Sequence, residues 1–224
     1  MRKKLKIALL APFEEKVPPT KYGGVELIVS YIADTLSERE HKVFLFASGD
    51  SKTKAELIPI FPKAIRTEPY SMNLKIREAL KFIGISRVIE RLRKLNVDII
   101  HDNIHWRFLP FASLFSVPTI TTLHGSLTSE DQKFIYSKFK KNLFVSISNS
   151  QRNPLPALNY VATVYNGIDI KNLEFSERPK DYFAFLGRMS PEKGPVQAVQ
   201  AAKAAGVKLK MAAKVDAVDV EFFK

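Results

Sequence analysis

The chain of 224 residues contains no cysteine. That excludes a disulfide framework, a thiolate metal site and a cysteine nucleophile, and it fits a reducing compartment. No apolar stretch approaches the roughly 20 residues that cross a bilayer as a helix. There is no Gly-x-Gly-x-x-Gly segment to bind a nicotinamide cofactor, no Walker loop and no Gly-x-Ser-x-Gly elbow of a serine hydrolase. Acidic residues are in deficit, 23 against 35 Lys and Arg, for a net charge of +12. A surplus of this size attracts phosphorylated ligands, anionic lipid or nucleic acid, or serves as a solvated surface. No nucleic-acid-binding motif accompanies it.

With 46% hydrophobic and 26% charged residues, the composition is that of a globular protein. Met1-Arg2-Lys3-Lys4-Leu5-Lys6 resembles the basic start of a signal peptide. The apolar run behind it is cut short by Pro12 and by Glu14-Glu15, so it reads as a buried strand, and the expected location is the cytoplasm. Continuous apolar runs at 6–11, 42–47, 97–101, 117–122, 142–147 and 161–165 predict strands. Helical periodicity lies between several of them: Val25, Ile28, Val29, Ile32 and Leu36 share one face, a long amphipathic helix is expected over 73–95, and another at 129–140. Buried strands alternating with helices predict an α/β fold with a doubly wound parallel sheet.

The stretch Leu173 to Asp181, charged and containing Pro179, reads as a linker. A second strand–helix–strand pattern follows, with strands at 182–186 and 207–212, an alanine-rich helix ending near Gly206 and the start of another at 218–222. The expected domains are therefore 1–178 and 179–224, the second incomplete and exposing Phe183, Phe185, Val207, Leu209 and Met211.

Open parallel sheets bind ligands at the carboxyl ends of their strands, and four such segments carry chemistry. Lys21-Tyr22-Gly23-Gly24-Val25-Glu26 opens a helix whose N–H groups could meet an anion, or is a simple turn. Leu123-His124-Gly125-Ser126 puts a histidine at a strand end, facing a ligand or capping backbone. Asn166-Gly167-Ile168-Asp169 carries a strong turn signal. Gly187-Arg188-Met189-Ser190-Pro191-Glu192-Lys193-Gly194 places two cations between a strand and a helix, a combination suited to a diphosphate.

Phe185-Leu186-Gly187-Arg188 through Glu192-Lys193-Gly194 resembles the donor-phosphate loop of retaining family-four glycosyltransferases of the GT-B fold. Tyr22-Gly23-Gly24-Val25-Glu26, Leu123-His124-Gly125, Val145-Ser146-Ile147-Ser148 and Tyr165-Asn166-Gly167-Ile168-Asp169 resemble further motifs of that family, in its order. The resemblance implies two Rossmann-like domains, the first facing the acceptor and the second holding a nucleotide diphosphate sugar. Arg188 and Lys193 would bind the donor diphosphate, Gly23 and Gly24 would approach it or the acceptor through backbone N–H groups, and His124 would touch the donor sugar near the reacting centre. Glu26, Asn166, Gly167 and Asp169 would support the cleft. The implied reaction is transfer of a hexose with retention to a carbohydrate or lipid-linked acceptor, without a cofactor or metal. The family's acidic pair that grips nucleotide and sugar falls beyond Lys224, so this chain alone is expected to be inactive.

Two further signals have blander explanations. His101 and His105 with Asp98 and Asp102 have a metal-ligand look, yet they straddle a strand end and read as a hydrogen-bond cluster. There is no Asp-x-Asp, the metal-diphosphate signature of the other large glycosyltransferase fold. The helix at 74–95 carries Lys75, Arg77, Lys81, Arg87, Arg91, Arg93 and Lys94, with Leu80, Ile83, Val88, Leu92 and Leu95 on its expected apolar face. It either packs on the sheet or docks on anionic lipid at the inner face of a membrane. Two rival functions remain open: a sugar-nucleotide epimerase of the same fold, and a basic module that binds polyanions or membrane.

Overall fold

A computed structural model describes residues 3–224; Met1 and Arg2, the start of the basic N-terminal run, lie outside the described residues. The chain forms two compact units. The first comprises the chain up to Ser71 together with Lys75–Ile168, and the second comprises Met72–Leu74 with Asp169–Lys224.

The first unit runs β1 (Lys6–Leu10), α1 (Gly24–Glu38), β2 (Lys42–Ala47), β3 (Glu56–Pro59), α2 (Leu74–Leu92), β4 (Ile99–Asp102), β5 (Thr119–Leu123), α3 (Glu130–Ser137), β6 (Leu143–Ser146) and β7 (Tyr160–Thr163). Its strands form one sheet in the order β3-β2-β1-β4-β5-β6-β7, and every neighbouring pair is parallel. β1 is the pivot, pairing with β2 on one side and β4 on the other. Its residues alternate between faces, as pleating requires. Ala8 and Leu10 join Phe44, Phe46, Ile100 and the inner face of α2 in one core layer, while Leu9, Val43 and Leu45 pack against Val29 and Ala33 of α1 in the other. Burial on both faces explains why these strands read as continuous apolar runs. A third cluster, with Leu123, Tyr136 and Phe144, fills the far end of the sheet.

The structure departs from the sequence reading at two places in this unit. β3 was not foreseen. It is a short edge strand with an exposed Glu56 and a terminal Pro59, and such a strand lacks the continuous apolar signal of its neighbours. On α2 and just after it, Leu80, Val88, Leu92 and Leu95 of the expected apolar face pack on the core, but Ile83 does not. Ile85, Val88 and Leu92 are buried, whereas Ile83 is 45% and Phe82 50% exposed. The cause is Gly84. A Cβ there would lie 2.6 Å from the Phe13 ring and 2.9 Å from Phe61, so the helix seats its glycine against those two rings. Residues 77, 81, 85, 88 and 92 then follow at helical spacing around Gly84, and Ile83 is turned away.

The second unit contains β8 (Phe183–Arg188), α4 (Pro195–Ala205), β9 (Leu209–Lys214) and the short α5 (Val220–Phe223). β8 and β9 pair in parallel from Phe183 opposite Leu209 to Arg188 opposite Lys214. Within this unit Phe183 is 63% and Leu186 87% exposed; Phe185, Leu209 and Met211 are half-buried, against the expectation that all would be exposed.

The glycine seat is directly testable. Gly84→Val should destabilise the protein by about 1–3 kcal/mol through overpacking against Phe13 and Phe61, measured as a lower urea midpoint with an unchanged slope. A neutral result would mean that α2 can lift off the sheet without cost.

A polar pocket at the switch point of the sheet

The strand order reverses at β1, between β2 on one side and β4 on the other, and this is where open α/β sheets place a ligand. A pocket of about 260 Å³ lies there. Its walls come from the segment after β1 (Pro12 to Glu15), the start of α1 (Tyr22 to Glu26), and the segment after β4 (Ile104, His105 and Arg107); Arg66 and Lys81 complete it.

Gly23 adopts φ 147°, a conformation L side chains rarely take. A Cβ there would lie 2.8 Å from Pro19 and 3.0 Å from a Glu26 carboxyl oxygen, so the glycine is required twice over. A Cβ on Gly24 would meet nothing within 4 Å. No side chain caps the N-terminus of α1.

The charges at the pocket are interlocked. The Glu14 carboxylate lies 2.7 Å from the Lys81 ammonium and 3.2 Å from the Arg77 guanidinium. Arg66 reaches Glu15 at 2.9 Å. Glu78 takes Lys81 at 2.7 Å and Arg107 through a fork at 2.9–3.1 Å. Burial pushes Glu14 up, yet Lys81 and Arg77 hold it below the ordinary carboxylate range. Arg77 and Lys81 are therefore turned inward rather than solvated, which removes them from any membrane-facing side of α2.

Glu26 behaves differently. It is 5% exposed, and burial raises its carboxyl to about 7, opposed by backbone hydrogen bonds and reinforced by the charges of Glu15 and Glu14. Its expected supporting role thus comes with a carboxyl half protonated near neutrality.

The pocket-lining His105 belongs to a histidine cluster. His124 follows β5, its Nε2 2.8 Å from Asn103 Oδ1, with the His105 ring edge-on at 5.9 Å. With Asn103 Oδ1 as acceptor, Nε2 carries the proton and Nδ1 is the ring's acceptor. Burial, then the neighbouring His105 and His101, lower His124 to about 3. His101 contacts Thr122 Oγ1 at 2.8 Å, and burial lowers it to about 4. His105, in a left-handed backbone conformation (φ 68°), is also lowered to about 4 by burial, Arg107 and Lys81. Asp102 accepts hydrogen bonds from the Ile104 N–H and the Thr121 hydroxyl, and Asp98 accepts one from the Lys6 N–H. His101, Asp102 and Asp98 thus spend their side chains on separate hydrogen-bond partners, and His105 packs its ring on His124. Among the described residues no three His, Asp or Glu side chains converge as metal ligands.

Asn166 and Gly167 lie in an exposed, irregular stretch, not in the turn that Asn-Gly signals. β7 has no following antiparallel strand to meet, so no hairpin exists for such a turn to close. Asp169 belongs to the second unit and accepts a hydrogen bond from the Lys171 N–H. In that unit Arg188 ends β8, its guanidinium 2.6 Å from the buried Asp219 carboxylate and 2.5 Å from Glu192. Lys193 is exposed and closes a single 3-10 turn, Pro191–Lys193; the left-handed Gly194 (φ 69°) then starts α4.

The model of glycosyltransferase family 4 matches residues 22–172. The chain belongs to that family. Among solved structures it is similar to AviGT4, a glycosyltransferase involved in avilamycin A biosynthesis, with a TM-score of 0.62 and 22% identity over 98% of this chain. It is also similar to a glycosyltransferase from Rickettsia africae, with a TM-score of 0.55 and 17% identity over 95% of this chain. The chain covers 59% and 60% of those two structures. No curated protein matches it. The seven-stranded parallel sheet matches the fold of the N-terminal Rossmann-like domain of GT-B glycosyltransferases. Among the described residues of this family-4 chain, no helix is long and apolar enough to cross a membrane.

Sequence reading missed Glu14, Arg66, Lys81, His105 and Arg107 as pocket residues. Glu14 and His105 were recoverable, because each lies within a few residues of the end of a switch-point strand; Arg66 and Lys81 arrive through tertiary packing.

The raised carboxyl has a signed consequence. Glu26 titrates at 4.5 when unfolded and about 7 when folded. The folded state therefore binds the extra proton, and the stability it contributes is full below 4.5 and is lost as pH rises through 7. Glu26→Gln, which stays neutral, should gain stability relative to the unmodified protein between pH 5 and pH 8, by at most about 3 kcal/mol. Urea unfolding at the two pH values measures the difference; a difference that does not grow with pH would place Glu26 in a solvated setting.

Proposed function

We propose that this chain is the acceptor-side domain and the beginning of the donor-binding domain of a retaining glycosyltransferase that moves a hexose from a nucleotide diphosphate sugar to a carbohydrate or lipid-linked acceptor. The observation that carries this reading is the pocket at the switch point. It opens on the Gly23–Gly24 start of α1, and most of its lining falls inside the family-matched segment.

In this reaction the bond from the anomeric carbon to the diphosphate breaks, and a bond from the acceptor oxygen to that carbon forms on the same face. The acceptor's proton passes to the departing phosphate oxygen. Such a step needs positioning and charge stabilisation more than a protein base. His124 fits that requirement: lowered to about 3, it is neutral at physiological pH and a poor base, and it offers Nδ1 to a sugar hydroxyl. Arg188 and Lys193 would take up the charge of the diphosphate, with no metal required. Because Arg188 already pairs with Asp219 and Glu192, the diphosphate has to compete with two carboxylates for it. Gly23 and Gly24 provide backbone without side chains at the pocket, Glu26 holds the first turn of α1, and Asn166, Gly167 and Asp169 form the exposed connection between the units.

A lipid-linked acceptor would bring this cytoplasmic enzyme to the inner face of the membrane. Exposed Phe82, Ile83 and Arg91 on α2 support that contact, with Lys94 exposed just after it.

Two substitutions test the assignment. Arg188→Ala and Lys193→Ala should each weaken nucleoside diphosphate binding by roughly 1.5–3 kcal/mol, the worth of one charged hydrogen bond. Calorimetry with the free nucleoside diphosphate reads this directly, and an affinity unchanged from the unmodified protein in both variants would remove the anion site. For His124→Ala the expected result is lower turnover with a nearly unchanged melting temperature. Normal turnover with a large loss of thermal stability would make the histidine structural.

A further inference from the structure

The segment that follows β6 is left unused by the reading above, and one side chain in it makes an uncommon set of contacts. Gln151 sits in the 3-10 turn Ser150–Arg152 that follows β6. Its amide nitrogen donates to the Leu123 carbonyl at 2.8 Å and to the Gly125 carbonyl at 2.7 Å. Its amide oxygen accepts the Ile147 N–H at 2.8 Å. Leu123 and Gly125 are the residues immediately before and after His124. A primary amide has two protons to give, and here both go to the backbone that brackets one histidine.

We infer that Gln151 is the positioning residue for His124: it clamps the turn between β5 and the following loop so that the His124 ring is held at the carboxyl end of the sheet. The geometry distinguishes this from satisfaction of buried polar groups. Gly125 is exposed, and water could serve its carbonyl equally well. What water could not do is join Leu123, Gly125 and Ile147 through one rigid group. The Gln151 backbone is itself anchored, its N–H donating to Ser148 Oγ at 3.2 Å. On the other side of the ring, Asn103 at the end of β4 holds Nε2. His124 is thus fixed from β4, β5 and β6 together. A misplacement of about 1 Å in such a group can cost roughly 100-fold in rate. The functional weight of the clamp rests on the proposed role of His124; the clamp itself does not.

The test is nitrogen NMR of the histidine rings in the full chain, comparing the unmodified protein with Gln151→Ala and Gln151→Glu. The glutamate variant keeps the size of the side chain and the acceptor for Ile147, but at neutral pH it has no proton to give either carbonyl. Both variants should shift the His124 ring resonances and raise its titration midpoint from about 3 towards the ordinary value of ~6.5. His101, bound to Thr122 on a different contact, should not move. Unchanged His124 resonances in both variants would overturn the clamp. So would a shift in the alanine variant alone, because packing rather than the two donated hydrogen bonds would then be responsible. Loss of the diphosphate site in the calorimetric experiment would instead overturn the proposed function and leave the clamp standing.

Discussion

Parallel pairing of β1 on both of its edges is the constraint on which the first unit depends. A parallel strand cannot be reached by a tight turn, so each pair needs a crossover that packs on one face of the sheet. The chain goes out from β1 towards β3 and returns to start again at β4 on the opposite side. At that reversal the connections leave in opposite directions, and the strand ends are left uncovered. The pocket is the space that remains. Its residues are not contiguous in sequence because several excursions of the chain border it.

The electrostatics of this space follow from its depth. Charges that would be ordinary on a surface are partly removed from water here, so they persist only as interlocked pairs: Glu14 with Lys81 and Arg77, Glu78 with Arg107. Groups without an opposite charge shift towards their neutral form: Glu26 and Asp102 are raised to about 7, and the three histidines are lowered. The result is a pocket with many hydrogen-bonding groups and little uncompensated charge, a surface chemistry suited to hydroxyl-rich ligands. Arg188 and Lys193, the two cations that the sequence suggests for a diphosphate, lie in the other unit.

Much of the fold was legible because burial on both faces writes itself as continuous apolar runs. β1 and β2 emerged within a residue of their positions, and the helix at 24–38 was evident from its spacing. The unseen strand, β3, has solvent on its outer edge and a charged first residue. α2 was found with most of its apolar face; Ile83 was misplaced, since a glycine contributes nothing to a hydrophobic pattern even when it is seated against two rings. The pocket was legible in part at the Gly23–Gly24 opening of α1, where the glycine pair marks the helix start. Lys81 and Arg77 looked like solvated charges because nothing in their neighbourhood announces Glu14, more than sixty positions earlier. Gln151 was invisible for the same reason: its partners lie across a strand pair.

The link between Lys6 and Asp98 spans 92 positions, and it has a kinetic meaning. β1, α1 and β2 can assemble as a local unit early, whereas β4 docks only after α2 has closed a long loop, a contact of high sequence separation that slows folding. The pocket needs the ends of both β1 and β4. During synthesis, binding competence therefore arrives late. It follows emergence of the segment through Arg107 and the ordering of the most distant strand pair in the sheet.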